Sequence, residues 1–181
     1  MDRHNWKKES EKVVFAGKFR TMKEKTFLLP DGEKKIYDVF GDATCAIVAA
    51  FTEDKQCIVF ERFMPGAEIV SLGFPGGKID EGEAPEIAAA RELLEETGYA
   101  GDMAFLKKVP RTLYTEGYEY FYIVTNAKKV KEAHHDDKEL LAFKLIPLDE
   151  LKRLTYDSNG ELFEMGHCAA LALEYLRTHT S

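Results

Sequence analysis

Glu92, Glu95 and Glu96 stand at i, i+3 and i+4 in a stretch whose apolar spacing is helical. At roughly 100° per residue, their side chains fall within an arc of about 60° on one helix face. Like charges at this spacing destabilise a bare helix by ~0.2–0.5 kcal/mol per pair, so the cluster wants a compensating cation. Arg91 can relieve part of the repulsion. A hard divalent ion such as Mg2+ is the chemically interesting alternative, because it takes carboxylate oxygen, bridges to phosphate and leaves room for water. The plain alternative is a solvated acidic stripe.

The elements that must hold these carboxylates are legible around them. Pro85 to Thr97 is predicted as a helix, with Pro85 and Glu86 in its first turn, Ile87, Ala90 and Leu94 inward, and Gly98 as terminator. Ahead of it, Gly73, Gly76, Gly77 and Gly82 predict a loop in which main chain comes close to something. Thr44 to Phe51 and Gln56 to Phe60 read as paired strands around the turn Thr52-Glu53-Asp54-Lys55. Val13 to Phe40 reads as short strands broken by Leu29-Pro30-Asp31-Gly32. Further strands are predicted over Ala104 to Pro110, Tyr118 to Thr125 and Leu140 to Ile146, with helices over Asp149 to Leu154 and Glu161 to Arg177. Strands and helices mixed without regular alternation point to α+β, or an α/β/α sandwich on a mixed sheet.

Gly77, Glu83, Arg91, Glu92, Glu95, Glu96 and Gly98 together satisfy G-x5-E-x7-R-E-U-x-E-E-x-G-U, with Leu93 and Tyr99 at the apolar positions. This resembles the Nudix box in full. Seven fixed residues at typical usage arise by chance on the order of 10^-8 per start position. The resemblance implies a Nudix α/β/α sandwich that cleaves a nucleoside diphosphate linked to another moiety. It further implies Mg2+, or Mn2+, on Glu92, Glu95 and Glu96, with the Gly76 carbonyl as a further ligand. Glu95 is the candidate catalytic carboxylate. Among the structural residues of the box, Gly77 lets main chain approach the ions, Glu83 and Arg91 brace loop and helix, and Gly98 stops the helix.

Beyond the box, Phe15-Ala16-Gly17-Lys18, Leu28 to Gly32 with Tyr37-Asp38-Val39, Cys57 to Phe63 and Leu145 to Leu151 resemble ADP-ribose and nucleoside-diphosphate-sugar pyrophosphatases. That resemblance implies residues 1–41 as a small N-terminal antiparallel β unit serving dimerisation, and residues 42–181 as the Nudix hydrolase domain. It departs at Met64, Gly73 and Thr115-Glu116-Gly117, so the preferred base and sugar stay open. Glu61, Arg62, Glu116 and Tyr118 are candidate substrate contacts. By register from Pro147, Glu139 and Asp137 are the candidate bases, within His134-His135-Asp136-Asp137-Lys138-Glu139. The two histidines suit an oxygen-ligated Mg2+ poorly. The aromatics Tyr114, Tyr118, Tyr120, Phe121 and Tyr122 read better as a packed strand than as a base-stacking platform.

The expected activity is therefore a homodimeric, Mg2+-dependent pyrophosphatase yielding a nucleoside monophosphate and a sugar phosphate from a nucleoside diphosphate sugar. The alternatives are a Nudix hydrolase of nucleoside triphosphates or dinucleoside polyphosphates, and a non-catalytic nucleotide sensor. Composition bounds the rest. The 181 residues suffice for one domain plus a small appendage, at 45% hydrophobic and 31% charged residues. A net charge of -7 argues against attraction to a nucleic-acid backbone or an anionic membrane. With no apolar run of membrane-spanning length and no apolar leader, a cytoplasmic location is expected. Cys45, Cys57 and Cys168 lack CxxC spacing and are expected as small buried hydrophobes rather than disulfides or a zinc site.

Overall fold

The computed structural model describes residues 5–18, 20–133, 142–157, 163 and 165–179. The chain divides into two compact units, one of residues 1–44 and 109–119, the other of residues 45–108 and 120–181. Residues 109–119 thus belong to the N-terminal unit, a membership that a division at residues 41/42 does not contain.

The first unit carries a three-stranded antiparallel sheet in the order β1-β2-β3, formed by β1 (Lys7–Ala16), β2 (Thr21–Leu28) and β3 (Lys34–Gly41). The turn after β2 lies at Leu29-Pro30-Asp31-Gly32, where the Gly32 N–H donates to the Leu29 carbonyl at 3.0 Å and Gly32 has φ 88°. β1 begins well before Val13, in the charged run Lys7 to Lys12. Charge hid it, because a fully exposed edge strand has no apolar alternation to detect.

In the second unit the sheet runs β10-β5-β4-β9-β8, with β6 on β5 and β7 on β4. Its strands are β4 (Cys45–Thr52), β5 (Gln56–Met64), β6 (Ile69–Gly73), β7 (Gly76–Lys78), β8 (Tyr99–Pro110), β9 (Tyr118–Lys129) and β10 (Ala142–Pro147). β4 is buried from Ala46 to Phe51, the signature of a strand covered on both faces. Its even residues Ala46, Val48 and Ala50 pack with Ala88, Ala89 and Leu93 of α1 (Pro85–Thr97). α3 (Gly166–His179) also packs on β4, and α2 (Leu148–Tyr156) on β5 and β10. Helices therefore flank the sheet, in the expected α+β sandwich.

Three expectations need correction. The inward stripe of α1 is Ala88, Ala89, Leu93 and Thr97, whereas Ile87 is 60% exposed and Ala90 faces out. The helix is rolled by about one residue because two adjacent alanines let its backbone lie flat on the small residues of β4. The segment from Gly73 to Gly82 is not loop throughout, since Gly73 ends β6 and Gly76 and Gly77 lie in β7. The last helix starts at Gly166, and its buried residues are Cys168, Ala169, Ala172 and Leu176. Cys57 and Cys168 are buried as expected, while Cys45 is only partly so. Phe121 and Tyr122 are core residues. No helix among the described residues is long and apolar enough to cross a membrane.

Candidate active site

The site begins with backbone. β7 pairs antiparallel with β4 through Ile47↔Gly76, Ala46↔Gly77 and Cys45↔Lys78, and the Val48 N–H donates to the Pro75 carbonyl at 2.9 Å. A Cβ at Gly76 would collide with the carbonyl oxygen of Ala46, so only glycine lets β7 approach β4 at this point. A Cβ at Gly77 would instead collide with the Glu92 carboxylate. The missing side chain is the space in which Glu92 sits.

From β7 the chain turns through Asp80 to Glu83 and enters α1 at Pro85, whose absent N–H costs nothing in a first turn. At the other end Gly98 adopts φ 76° and donates its N–H to the Leu94 carbonyl at 3.0 Å. The Gly98 carbonyl then accepts the N–H groups of Val130 (2.8 Å) and Lys131 (3.2 Å), tying the helix end to the segment that directly follows β9.

Arg91 organises the acidic face. Its Nε and Nη2 donate to the two oxygens of Glu83 at 2.9 and 3.0 Å, a bidentate pair. Nη1 reaches Glu92 Oε1 at 2.8 Å and Glu95 Oε2 at 3.3 Å, and Nη2 also donates to the Lys78 carbonyl at 3.2 Å. The Asp80 N–H closes the loop on Glu83 Oε2 at 3.0 Å. Arg91 and the Asp80 N–H hold the Glu83 carboxyl down at about 2. Glu92 moves the other way: burial raises its pKa, and Arg91 opposes that only in part. The Arg91 guanidinium is held still more firmly protonated by Glu83.

Glu96 turns to the Gly76 N–H, accepting it at 3.0 Å on Oε2. Of the three helix glutamates, Glu92 and Glu95 thus meet on Arg91 while Glu96 caps β7, and among the described residues no three His, Cys, Asp or Glu are gathered as a metal-ion cluster. Mutual repulsion sends each carboxylate to the nearest donor. In kind the donors fit a hard divalent cation: every side-chain donor is a carboxylate oxygen, and the glycine backbone leaves Glu92 unobstructed.

The remaining expected site residues scatter. Glu61 pairs with Lys144 at 2.8 Å. Arg62 donates from Nη2 to the Phe74 carbonyl at 3.2 Å, supporting the segment that leads into Gly76. No spacing rule links Arg62 to Phe74, although an apolar Phe74-Pro75 between glycines signals that this segment is a floor and not a free loop; Phe74 is fully buried. Glu116 and Tyr118 belong to the first unit. There Glu116 accepts Lys23 at 2.9 Å and contacts Lys25, and the Tyr118 N–H donates to Thr44 Oγ1 at 3.3 Å. Asp137 and Glu139, with His134 and His135, lie outside the described residues.

The family model described as NUDIX domain matches residues 42–164. An ADP-sugar pyrophosphatase of Mus musculus is 34% identical over 106 residues, covering 52% of this chain and 49% of that protein. An ADP-ribose pyrophosphatase of Bacillus subtilis (strain 168) is 31% identical over 90 residues, covering 50% and 49%. The chain therefore matches about half the length of these curated relatives. A crystal structure of an ADP compounds hydrolase superposes with a TM-score of 0.81 at 22% identity, over 97% of this chain and 96% of that one, which establishes a common fold.

Proposed function

This chain belongs to the NUDIX domain family, and from that premise we propose that it hydrolyses the pyrophosphate of ADP-ribose or another nucleoside diphosphate sugar, giving a nucleoside monophosphate and a sugar phosphate. The observation that carries the reading is the Arg91 hub, which holds Glu83, Glu92 and Glu95 about one guanidinium on a helix facing two glycines. Two further supports are the names of the relatives and the presence of a separate N-terminal β unit.

Glu92, Glu95 and Glu96 would hold Mg2+, or Mn2+ in its place, with the Gly76 carbonyl. Bound there, the ion supplies charge neutralisation for the pyrophosphate and a lowered pKa for the attacking water. The chain's own residues do the positioning. Glu83 fixes Arg91, Arg91 orients Glu92 and Glu95, and Glu96 registers β7 against the helix. Glu139, with Asp137 as second choice, is proposed to orient or deprotonate the water. Glu61, Arg62, Glu116 and Tyr118 are proposed substrate contacts, Arg62 also supporting the site through the Phe74 carbonyl.

A homodimer is part of the reading. In the N-terminal unit Phe15, Ile36 and Phe40, which the register places on one face of the sheet, are 57%, 61% and 48% exposed. Apolar area left in water costs about 25 cal/mol per Å2, and one self-complementary interface would cover the patch on both copies. Phe27 needs no such cover, since it packs against Trp6 and Tyr37 with centroids 6.3 and 6.1 Å away. Sedimentation should show a dimer that Phe15→Glu dissociates.

Turnover of ADP-ribose with Mg2+ in 18O-labelled water tests the chemistry. Label should enter a monophosphate product with no free inorganic phosphate. Activity confined to nucleoside triphosphates would move the protein to the alternative substrate class, and binding without turnover would make it a sensor.

A further inference from the structure

A pocket of about 460 Å3 lies in the second unit between the β4–β5 turn, α2 and α3, and no residue of the acidic helix lines it. Its size is that of small-molecule sites. Leu148, Leu173 and Leu176 give it apolar walls, and Tyr156, 67% exposed, stands at its edge.

The charged lining is one-sided. Lys55, Lys152 and Arg177 line the pocket, against Glu174. Glu174 is taken by Arg177 in a bidentate pair at 2.8 and 2.6 Å, and Lys152 pairs with Asp149 at 2.8 Å. Lys55 has no carboxylate partner among the described residues, so it carries the lining's uncompensated positive charge. Its backbone is unusual as well, with φ 61° in a conformation that glycine or asparagine takes more cheaply. The turn is held there by the Lys55 N–H on the Thr52 carbonyl at 3.0 Å, and by Thr52 Oγ1, which accepts the Gln56 N–H at 3.0 Å and donates to Asp54 at 2.6 Å.

We propose that this pocket binds a small amphipathic monoanion, an alkyl or aryl carboxylate, with its apolar body on the leucines and its carboxylate on Lys55. Apolar walls with one convergent charge are what such a ligand requires, and a single spare cation favours a monoanion over a phosphate ester carrying two charges.

Octanoate and 1-octanol are the probes, titrated into the isotope-labelled full-length protein while backbone amide shifts are followed by NMR. Octanoate should produce saturable shifts at Lys55, Leu148, Tyr156 and Leu173, with an apparent Kd at least tenfold below that of octanol. Lys55→Gly suits the turn's backbone and removes the charge, so it should leave Tm unchanged or higher while weakening octanoate at least tenfold and octanol by less than twofold. Equal affinity for the two probes would reduce the pocket to an apolar groove and overturn the proposal. So would undiminished octanoate binding by the glycine variant, or the absence of saturable shifts at the pocket residues. The probe pair on the unaltered protein decides the matter even where a variant fails to fold.

Discussion

The two units each gather carboxylates around basic side chains, and the balance differs. In the second, Arg91 serves Glu83, Glu92 and Glu95, so acid exceeds base on a helix face walled by glycine. In the first, Glu11 and Glu116 are shared among Lys8, Lys23 and Lys25, and base slightly exceeds acid. Glu11 is drawn down to about 2 by Lys8 and Lys23, a satisfied surface network. Glu92 is raised by burial against the pull of Arg91, while Glu83 on the same arginine is drawn down to about 2. The balanced cluster ties strands together, whereas the acid-rich cluster beside a bare backbone is the one proposed to take a cation.

The strongest way to break this contrast is to remove charge from the acid-rich cluster. Glu95→Gln should keep the fold, because Glu95 is half exposed, and lower kcat at saturating Mg2+ by at least a hundredfold, about 3 kcal/mol of transition-state stabilisation. Near-native kcat with an unchanged circular dichroism spectrum would show that the excess of acid has no catalytic use.

The glycines separate next. Gly76→Ala meets backbone at Ala46 and should cost ~1–3 kcal/mol of stability, read as a lowered Tm. Gly77→Ala meets only the movable end of Glu92, so its Tm should fall by no more than about 1 kcal/mol equivalent while kcat falls about tenfold. Equal thermal losses in the two variants would mean that Gly77 is also structural.

A pH comparison sharpens the picture of Glu83. Its folded pKa lies below the ordinary carboxylate value of 4.5, at about 2. The stability it contributes is therefore complete above about pH 4.5 and disappears as pH falls toward 2. Unfolding curves of Glu83→Gln should run below those of the unaltered protein at neutral pH and converge with them across that window. A constant offset down to pH 2 would assign the loss to packing instead.

The smallest effect is expected in the balanced cluster. Glu116→Gln should cost about 1 kcal/mol, since its half-buried pairs with Lys23 and Lys25 are still reached by solvent, with kcat within about twofold. A raised KM at unchanged kcat would instead identify Glu116 as a substrate contact.

Much of the acidic helix was legible because its determinants are local. The i, i+3, i+4 glutamates, Pro85 at the start and Gly98 at the stop act through backbone geometry within a few residues, and the structure has the helix over Pro85–Thr97 as read. A bracing role for Glu83 and Arg91 was legible too, but that they brace by pairing with each other appears only in the structure. The roll of the helix did not follow. Ile87, Ala90 and Leu94 form as regular a stripe as the observed Ala88, Ala89, Leu93 and Thr97, and only the small residues of β4 distinguish them.

What the sequence by itself determined, then, was the identity and spacing of the chemical groups: three glutamates on one turn of helix, an arginine among them and glycines ahead of them. Tertiary structure decided their partners. Glu96 reaches the Gly76 N–H and Arg62 the Phe74 carbonyl because β5, β7 and α1 meet, while residues 109–119 join a unit assembled from the chain's beginning. Such contacts close loops of many residues, and their free energy depends on what every intervening element packs against. Local spacing carries no record of that.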